Sequence, residues 1–477
     1  MAYNELIEEI KKVTYLASAA GVLGWDQRVC MPKQGIDIRS YELATLSELA
    51  HELFTNKKIG SLIKKSKKEK LDEDQKANIR ELEKDYTRAV CIPKKLVSEL
   101  EHTSSKAEVS WQEARAKSDF KIFSPHLSKL IELKKKKAHY IDSKKQPYDV
   151  LLQDYDYSLT TKLIDKSFNE IKIEIKKLIK KYPQPKKPIL KDYQKQKELC
   201  NFVAEKLGYD LTRGRLDLSA HPFSTGNTKD ARITTRFSDD PFDSLLSTMH
   251  ETGHALYTQG LKFENFGTPL GESCSTAVHE SQSRIWENHV GRSKEFLEWF
   301  TLFLNKAGCN FTAEESYSWI NFIEPSFIRV ESDEVTYHMH IILRFEIEKL
   351  LFENKLTVKE IPVIWNEKMQ SYLGITPKND SLGCLQDIHW SSDFGYFPTY
   401  TFGTMMAAQL FNTILKKIPN LKEDFKVGNF SQLKEWLNSN IHQYGRKYET
   451  NELIKKATGE DPNPKFLIDY LKRKYSV

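Results

Sequence analysis

The sequence predicts a mostly α-helical chain carrying one small β hairpin or sheet. Three features point there. Long charged stretches keep apolar residues three and four positions apart, glycine and proline are sparse inside them, and few segments read as strand. In chain order, Glu42–Phe54 places Leu43, Leu46, Leu49 and Leu53 on one helical face. Residues 70–120 and 126–145 are long, charged and poor in breakers, as antiparallel helical hairpins are, with Pro93 marking a turn between helices. The clearest interruption is residues 180–194, where Pro183, Pro185 and Pro188 enforce extended backbone. It reads as an internal connector within a single domain, 1–477, because nothing in the first 180 residues looks self-sufficient. Asp230–Phe237, with β-branched residues at its centre and turn residues before it, is the best strand candidate and places a short hairpin near residues 217–237.

Composition narrows the function classes. Hydrophobic residues make up 39% and charged residues 29% of the 477, enough for a sizeable core under a solvated surface. A formal charge of +6, from 72 Lys and Arg against 66 Asp and Glu, is too dilute to suggest a nucleic-acid partner. The lysine runs 64–70, 134–137 and 176–187 read as solvated helix faces. Six cysteines without a CxxC pair suit free thiols in a reducing compartment. The amino terminus has acidic residues before its only apolar stretch, unlike a signal peptide, and no run of about 18 apolar residues suggests a membrane span. A soluble, cytoplasmic protein is expected.

The chemistry concentrates between residues 221 and 389, which hold eight of the thirteen histidines. His250, Glu251, Thr252, Gly253 and His254 spell H-E-x-x-H. On a helix, positions i and i+4 share a face, so two imidazoles can meet one Zn²⁺ while Glu251, one position off, stays near the metal as a general base. The helix is legible: Asp240 as N-cap, Pro241 in its first position, Asp243 in its first turn, Leu245, Leu246, Met249 and Leu256 on its apolar face, Gly260 at its stop. Gly253 weakens the helix by about 1 kcal/mol relative to alanine, which suggests a close approach there.

A catalytic zinc needs a third protein ligand and an open fourth position. The next helical segment, 272–291, offers His279, Glu280 and Glu287, and spacing alone does not choose. Glu280 is favoured because Arg284, at i+4, can support its charge. His338 and His340, two apart on an apolar helix, point to different faces and read as core or surface residues.

HPF (His221–Phe223), DARIT (Asp230–Thr234), HETGH (His250–His254), HESQS (His279–Ser283), IRVESD (Ile328–Asp333) and GCLQDIHW (Gly383–Trp390) follow one another in that order. GWDQ…MP (Gly24–Pro32) and GYFPTY (Gly395–Tyr400) flank them. Together these motifs closely resemble those of the thermostable, carboxypeptidase Taq-type metallopeptidase family, over nearly the whole chain. Ser332 departs from the alanine usual in that family's pattern, and residues 120–195 carry no matching motif.

The resemblance implies a large helical fold of the neurolysin and angiotensin-converting-enzyme type, two lobes about a deep central groove with zinc at its floor, usually as a homodimer. It implies His250, His254 and Glu280 as metal ligands and Glu251 as base. Arg329 is the first choice for the substrate's terminal carboxylate and Arg232 the second, a structural ion pair being the competing reading for either. His389, Tyr396 and Tyr400 are candidates for stabilising the oxyanion, with a packed aromatic corner as the alternative. Gln386 and Asp387 would line the pocket or orient His389. Cobalt or manganese could replace zinc, since two imidazoles and a carboxylate accept several divalent ions. The expected activity is release of single C-terminal residues from short peptides. The competing readings are an endo-oligopeptidase on the same scaffold and a non-catalytic zinc-containing peptide-binding protein.

Overall fold

A computed structural model of the chain describes residues 1–180 and 183–475, so Lys181 and Tyr182 of the expected connector lie outside the described residues. The protein is 69% helix and 3% strand, as the sequence predicts. It divides into two compact units, and no described helix is long and apolar enough to cross a membrane.

The first unit comprises Met1–Ala89, Pro185–Ile320 and Leu410–Asp461. Its amino-terminal helix, Ala2–Val29, buries its first turns, where Tyr3, Leu6, Ile7 and Ile10 pack with Ile59, Leu62, Ile63, Ile79 and Leu82, and again Trp25 near its end. The Ile36–Phe54 helix forms where leucine periodicity predicts it, yet none of its residues is buried, and Ile38, Tyr41 and Leu49 are exposed. Periodicity identifies the helix but not what its apolar stripe meets.

The strand expectation is met and extended by one strand. β1 (Gly214–Leu218) runs parallel to β3 (Asp230–Thr235), and β2 (Ser224–Asn227) pairs antiparallel with β3, giving the order β1–β3–β2. The β2–β3 pair is the predicted hairpin, and the parallel β1 is the addition. Ala231 and Ile233 of the central strand are fully buried.

The second unit comprises Val90–Gln184, Asn321–Gln409 and Pro462–Val477, so the chain passes from it into the first unit within the proline-rich stretch. Pro93 caps the Lys94–Lys117 helix, as expected of a turn residue. The next helix starts at Phe120, earlier than its sequence suggests, because Asp119 accepts the Lys121 amide at 3.0 Å and Pro125 is accommodated within the early turns. The Tyr337–Phe352 helix has thirteen of its sixteen residues buried. A helix buried all round lies inside a core; Tyr148 and Phe168 pack against its Phe345, and Tyr148 also stacks on its Phe352. Its polar residues must therefore find partners inside the protein.

Candidate metal centre and associated polar cluster

The Pro241–Gly260 helix begins as its sequence dictates. Asp240 accepts the Phe242 amide at 3.0 Å, and Pro241 occupies the first turn. A methyl group on Gly253 would stand 2.6 Å from Ser283 Cα and 2.7 Å from the Gln282 carbonyl oxygen. The missing side chain thus lets the Thr276–Arg284 helix approach closely enough to bring its carboxylate to the two histidines.

His250, His254 and Glu280 form the one group of three potential metal ligands among the described residues, their ligating atoms all within 4.8 Å of one another. Glu280 Oε2 lies 3.6 Å from His250 Nε2 and 3.5 Å from His254 Nε2. Tetrahedral ligands held at about 2.0–2.2 Å from a zinc ion stand about 3.4 Å apart, close to these separations. Two imidazole nitrogens and an acceptor-only carboxylate aimed at one point suit a cation between them. The donor set therefore fits a divalent metal.

The surrounding residues hold each donor. Arg284 Nε donates to Glu280 Oε1 at 2.7 Å, the i+4 support the spacing suggests. Although burial opposes it, Arg284 together with His250 and His254 keeps the Glu280 carboxyl well below the usual range. His250 Nδ1 meets Glu287 Oε2 at 2.8 Å, and Arg284 Nη1 reaches the same oxygen at 3.1 Å. Glu287 lies in a π-helical turn, Ile285–Gly291, that continues the Thr276–Arg284 helix; such turns recur at functional sites. Burial pushes Glu287 up, but Arg284 and His250 outweigh it and bring the carboxyl down to about 2. Glu287, one of three third-ligand candidates, thus faces His250 Nδ1 and lies outside the converging group of His250, His254 and Glu280. His279, another, lies flat against His254 with ring centroids 4.4 Å apart. Glu251 is buried, 6% exposed. Burial raises its carboxyl above the ordinary value, with His250 and His254 opposing the rise.

Arg232 is engaged elsewhere in the first unit. Its guanidinium meets Asp230 through Nε and Nη2, at 2.8 and 2.7 Å, and covers Trp25 at 4.3 Å. The pairing joins the DARIT and GWDQ motifs into one packed feature.

Within the second unit, the remaining candidates form a polar cluster. Arg329 is buried and meets Asp387 Oδ1 through Nε and Nη2, at 3.0 and 2.9 Å, while Nη1 donates to Tyr337 at 3.1 Å. Gln386 accepts the Arg329 amide at 2.8 Å and donates to the Phe327 carbonyl at 2.9 Å, fixing the segment that carries the arginine. Ser332, the departure from the family pattern, donates to the Ile328 carbonyl at 3.0 Å. The second Asp387 oxygen binds Arg344, which is fully buried and stacks over Trp365 at 4.6 Å. No motif or spacing in the sequence marks Arg344 as part of this cluster. The signal it offers is an arginine directly after the apolar run Ile341–Leu343 of its helix.

His389 Nδ1 stands 4.0 Å from Asp387. The Tyr400 hydroxyl lies 3.4 Å from His389 Nε2, and the Tyr396 ring centroid is 5.5 Å from that of His389. Burial, with Arg329 and Arg344 close by, lowers His389 to about 4 against the pull of Asp387, so the imidazole is neutral at pH 7. His338 and His340 are buried on different faces of their helix, as core residues, with His338 Nδ1 3.0 Å from Thr401 Oγ1.

A family model for carboxypeptidase Taq (M32) metallopeptidases matches residues 5–475. The chain is 40% identical to thermostable carboxypeptidase 1 of Pyrococcus furiosus, covering 99% of each. It is 39% identical to carboxypeptidase 1 of Bacillus subtilis, over 99% of this chain and 98% of that one. A solved Pyrococcus furiosus carboxypeptidase structure superposes with a TM-score of 0.96 at 38% identity, over 100% of this chain and 99% of that one. The chain therefore belongs to the M32 family of metallocarboxypeptidases, enzymes that hydrolyse peptide bonds.

Proposed function

We propose that the protein is a zinc-dependent carboxypeptidase that removes one residue at a time from short peptides with a free C-terminus. The observation that carries this reading is the convergence of His250, His254 and Glu280 on one point, with the buried Glu251 on the same helix as the two histidines. A divalent ion held by those three residues supplies Lewis acidity, polarising the scissile carbonyl and acidifying a water molecule; cobalt or manganese would serve in place of zinc.

Glu251 takes the proton from the attacking water and delivers it to the departing amine. Arg329 receives the substrate's α-carboxylate, a role that needs a guanidinium fork in a defined orientation, and Asp387 and Gln386 provide one. Asp387 and Gln386 thereby serve substrate binding through Arg329. His389 and one of Tyr396 and Tyr400 donate to the developing oxyanion; the neutral state of His389 leaves it an N–H to give without a full charge. For Arg232, the ion pair with Asp230 supports a structural role over carboxylate binding.

A homodimer accompanies this reading, supported by the Ile36–Phe54 helix, which exposes Ile38, Tyr41 and Leu49 and buries none of its residues. A cytoplasmic location is supported by Cys30, Cys200, Cys309 and Cys384, none of which is in a disulfide.

The test is digestion of an unblocked peptide of mixed sequence, followed by mass spectrometry before and after chelation and zinc restoration. A ladder of products each shorter by one C-terminal residue, abolished by chelator and by C-terminal amidation, is expected. Internal fragments would replace this reading with an endopeptidase, and absence of cleavage with any divalent ion would remove it.

A further inference from the structure

Glu348 is fully buried in the Tyr337–Phe352 helix, and the hydrolytic scheme gives it no part. Its Oε1 accepts the Trp390 indole N–H at 2.8 Å. Its Oε2 accepts the Tyr148 hydroxyl at 2.6 Å and the Gly395 backbone N–H at 2.9 Å. All three donors are neutral. Burial therefore dominates, pushing the carboxyl up to about 7 against those hydrogen bonds. Burying a carboxyl is costly unless hydrogen bonds compensate, and here three donors converge on its two oxygens.

The placement of the donors shows what that geometry does. Trp390 directly follows His389, and Gly395 directly precedes Tyr396. One carboxylate therefore grips both ends of the segment that separates two of the candidate oxyanion donors, His389 and Tyr396, in sequence. Gly395 has φ +87°, in the left-handed region that favours glycine, and a Cβ there would crowd the Leu152 amide at 3.1 Å. Across this segment the rings of His389 and Tyr396 stand 5.5 Å apart, and the Tyr400 hydroxyl lies 3.4 Å from His389 Nε2.

We propose that Glu348 is a positioning residue: by holding Trp390 and Gly395 on its two oxygens, it sets the mutual geometry of His389, Tyr396 and Tyr400. An amide cannot substitute. A carboxylate offers two acceptor oxygens, whereas glutamine has one and must turn its NH₂ toward either the Trp390 N–H or the Gly395 N–H. Glu348→Gln therefore keeps the volume and releases one end of the segment.

The kinetic part of this proposal rests on the oxyanion role given above to His389 and the tyrosines, so the test has two arms. In the first, ¹⁵N-histidine NMR of the zinc-loaded full chain follows the His389 ring, assigned with His389→Ala. Its signal is expected to move in Glu348→Gln and, to a smaller extent, in Trp390→Phe, which keeps the carboxylate and removes one donor. In the second arm, kcat for an unblocked peptide is expected to fall about 10- to 100-fold in Glu348→Gln with KM and metal content nearly unchanged. The further loss on adding the same change to His389→Ala is expected to be small, because residues acting as one unit are not additive. An unmoved His389 signal in both variants, or losses that multiply in full, would overturn the proposal. If His389→Ala and Tyr400→Phe keep full activity while the His389 signal still moves in Glu348→Gln, the oxyanion reading fails and the positioning role stands.

Discussion

The imidazole of His250 and the carboxylate of Glu287 meet at 2.8 Å, Nδ1 to Oε2, so the ring nitrogen opposite the one that faces Glu280 has a charged partner. That contact fixes the ring's orientation and leaves Nε2 as the lone-pair donor. His254 differs. Its Nδ1 is buried without a hydrogen-bond partner among the described residues, and the flat ring of His279 orients it instead.

From this asymmetry, Glu287→Gln is expected to weaken metal affinity by about 10- to 100-fold, the usual range for an outer partner. The amide can still contact Nδ1 but no longer carries the charge that raises the ring's basicity. Competition with a chelator of known affinity measures it. An unchanged affinity would show that Arg284 and the helix backbone alone orient the site.

Gly253 makes a prediction of opposite sign to helix propensity. Alanine would favour the isolated helix by about 1 kcal/mol. Its Cβ, however, would stand 2.6 Å from Ser283 Cα, and backbone cannot step aside as a side chain can. Overpacking of this kind costs about 1–3 kcal/mol, so Gly253→Ala is expected to lower Tm and to weaken metal binding by displacing Glu280. Thermal unfolding with and without zinc reads both; a raised Tm would refute the close-packing account.

Acid should destabilise the fold in a window set partly by His442. Burial first, and Lys434 second, bring this imidazole down to about 3 from an ordinary 6.5. Its Nε2 lies 3.0 Å from the Gln282 amide oxygen, next to Ser281 and Ser283 on the helix that carries Glu280. Between those two pH values the unfolded chain binds more protons than the folded one, so the contribution is complete above about pH 6.5 and declines as pH falls toward 3. His442→Gln is expected to flatten that decline. Tm measured at pH 8 and at pH 5 in both proteins checks it, and equal slopes would assign the acid sensitivity to other groups.

How far the sequence reached depended on the range of each interaction. The Asp240 cap, the H-E-x-x-H face and the Glu280–Arg284 pair lie within one or two helical turns, where spacing dictates contact. Gly253 was readable as a close approach because a mid-helix glycine is unfavourable without one. The parallel pairing of β1 with β3 was not readable, since it joins segments through a crossover and depends on packing rather than local pattern. Nor could spacing separate Glu280 from Glu287: both lie on the continuous helical segment, seven residues apart, and only the facing histidines distinguish them. The link from Arg329 through Asp387 to Arg344 spans 58 and then 43 residues, beyond any periodicity.

That link governs the last prediction. Asp387 is held by two guanidinium groups, so removing one leaves it paired with the other. Arg329→Ala should therefore fold, with Arg344 retaining Asp387, while the substrate's α-carboxylate loses its partner. Hydrogen bonds to a charged group contribute about 1.5–3 kcal/mol each, so kcat/KM for unblocked peptides is expected to fall on the order of 100-fold or more. Peptides with an amidated C-terminus, already poor substrates of the parent, should be no poorer for the variant. The discriminating quantity is thus the ratio of kcat/KM for free and amidated peptides, which should collapse toward one. A ratio that stays at the parent's value, with Tm unchanged, would make Arg329 a structural partner of Asp387 and move the carboxylate clamp to another residue.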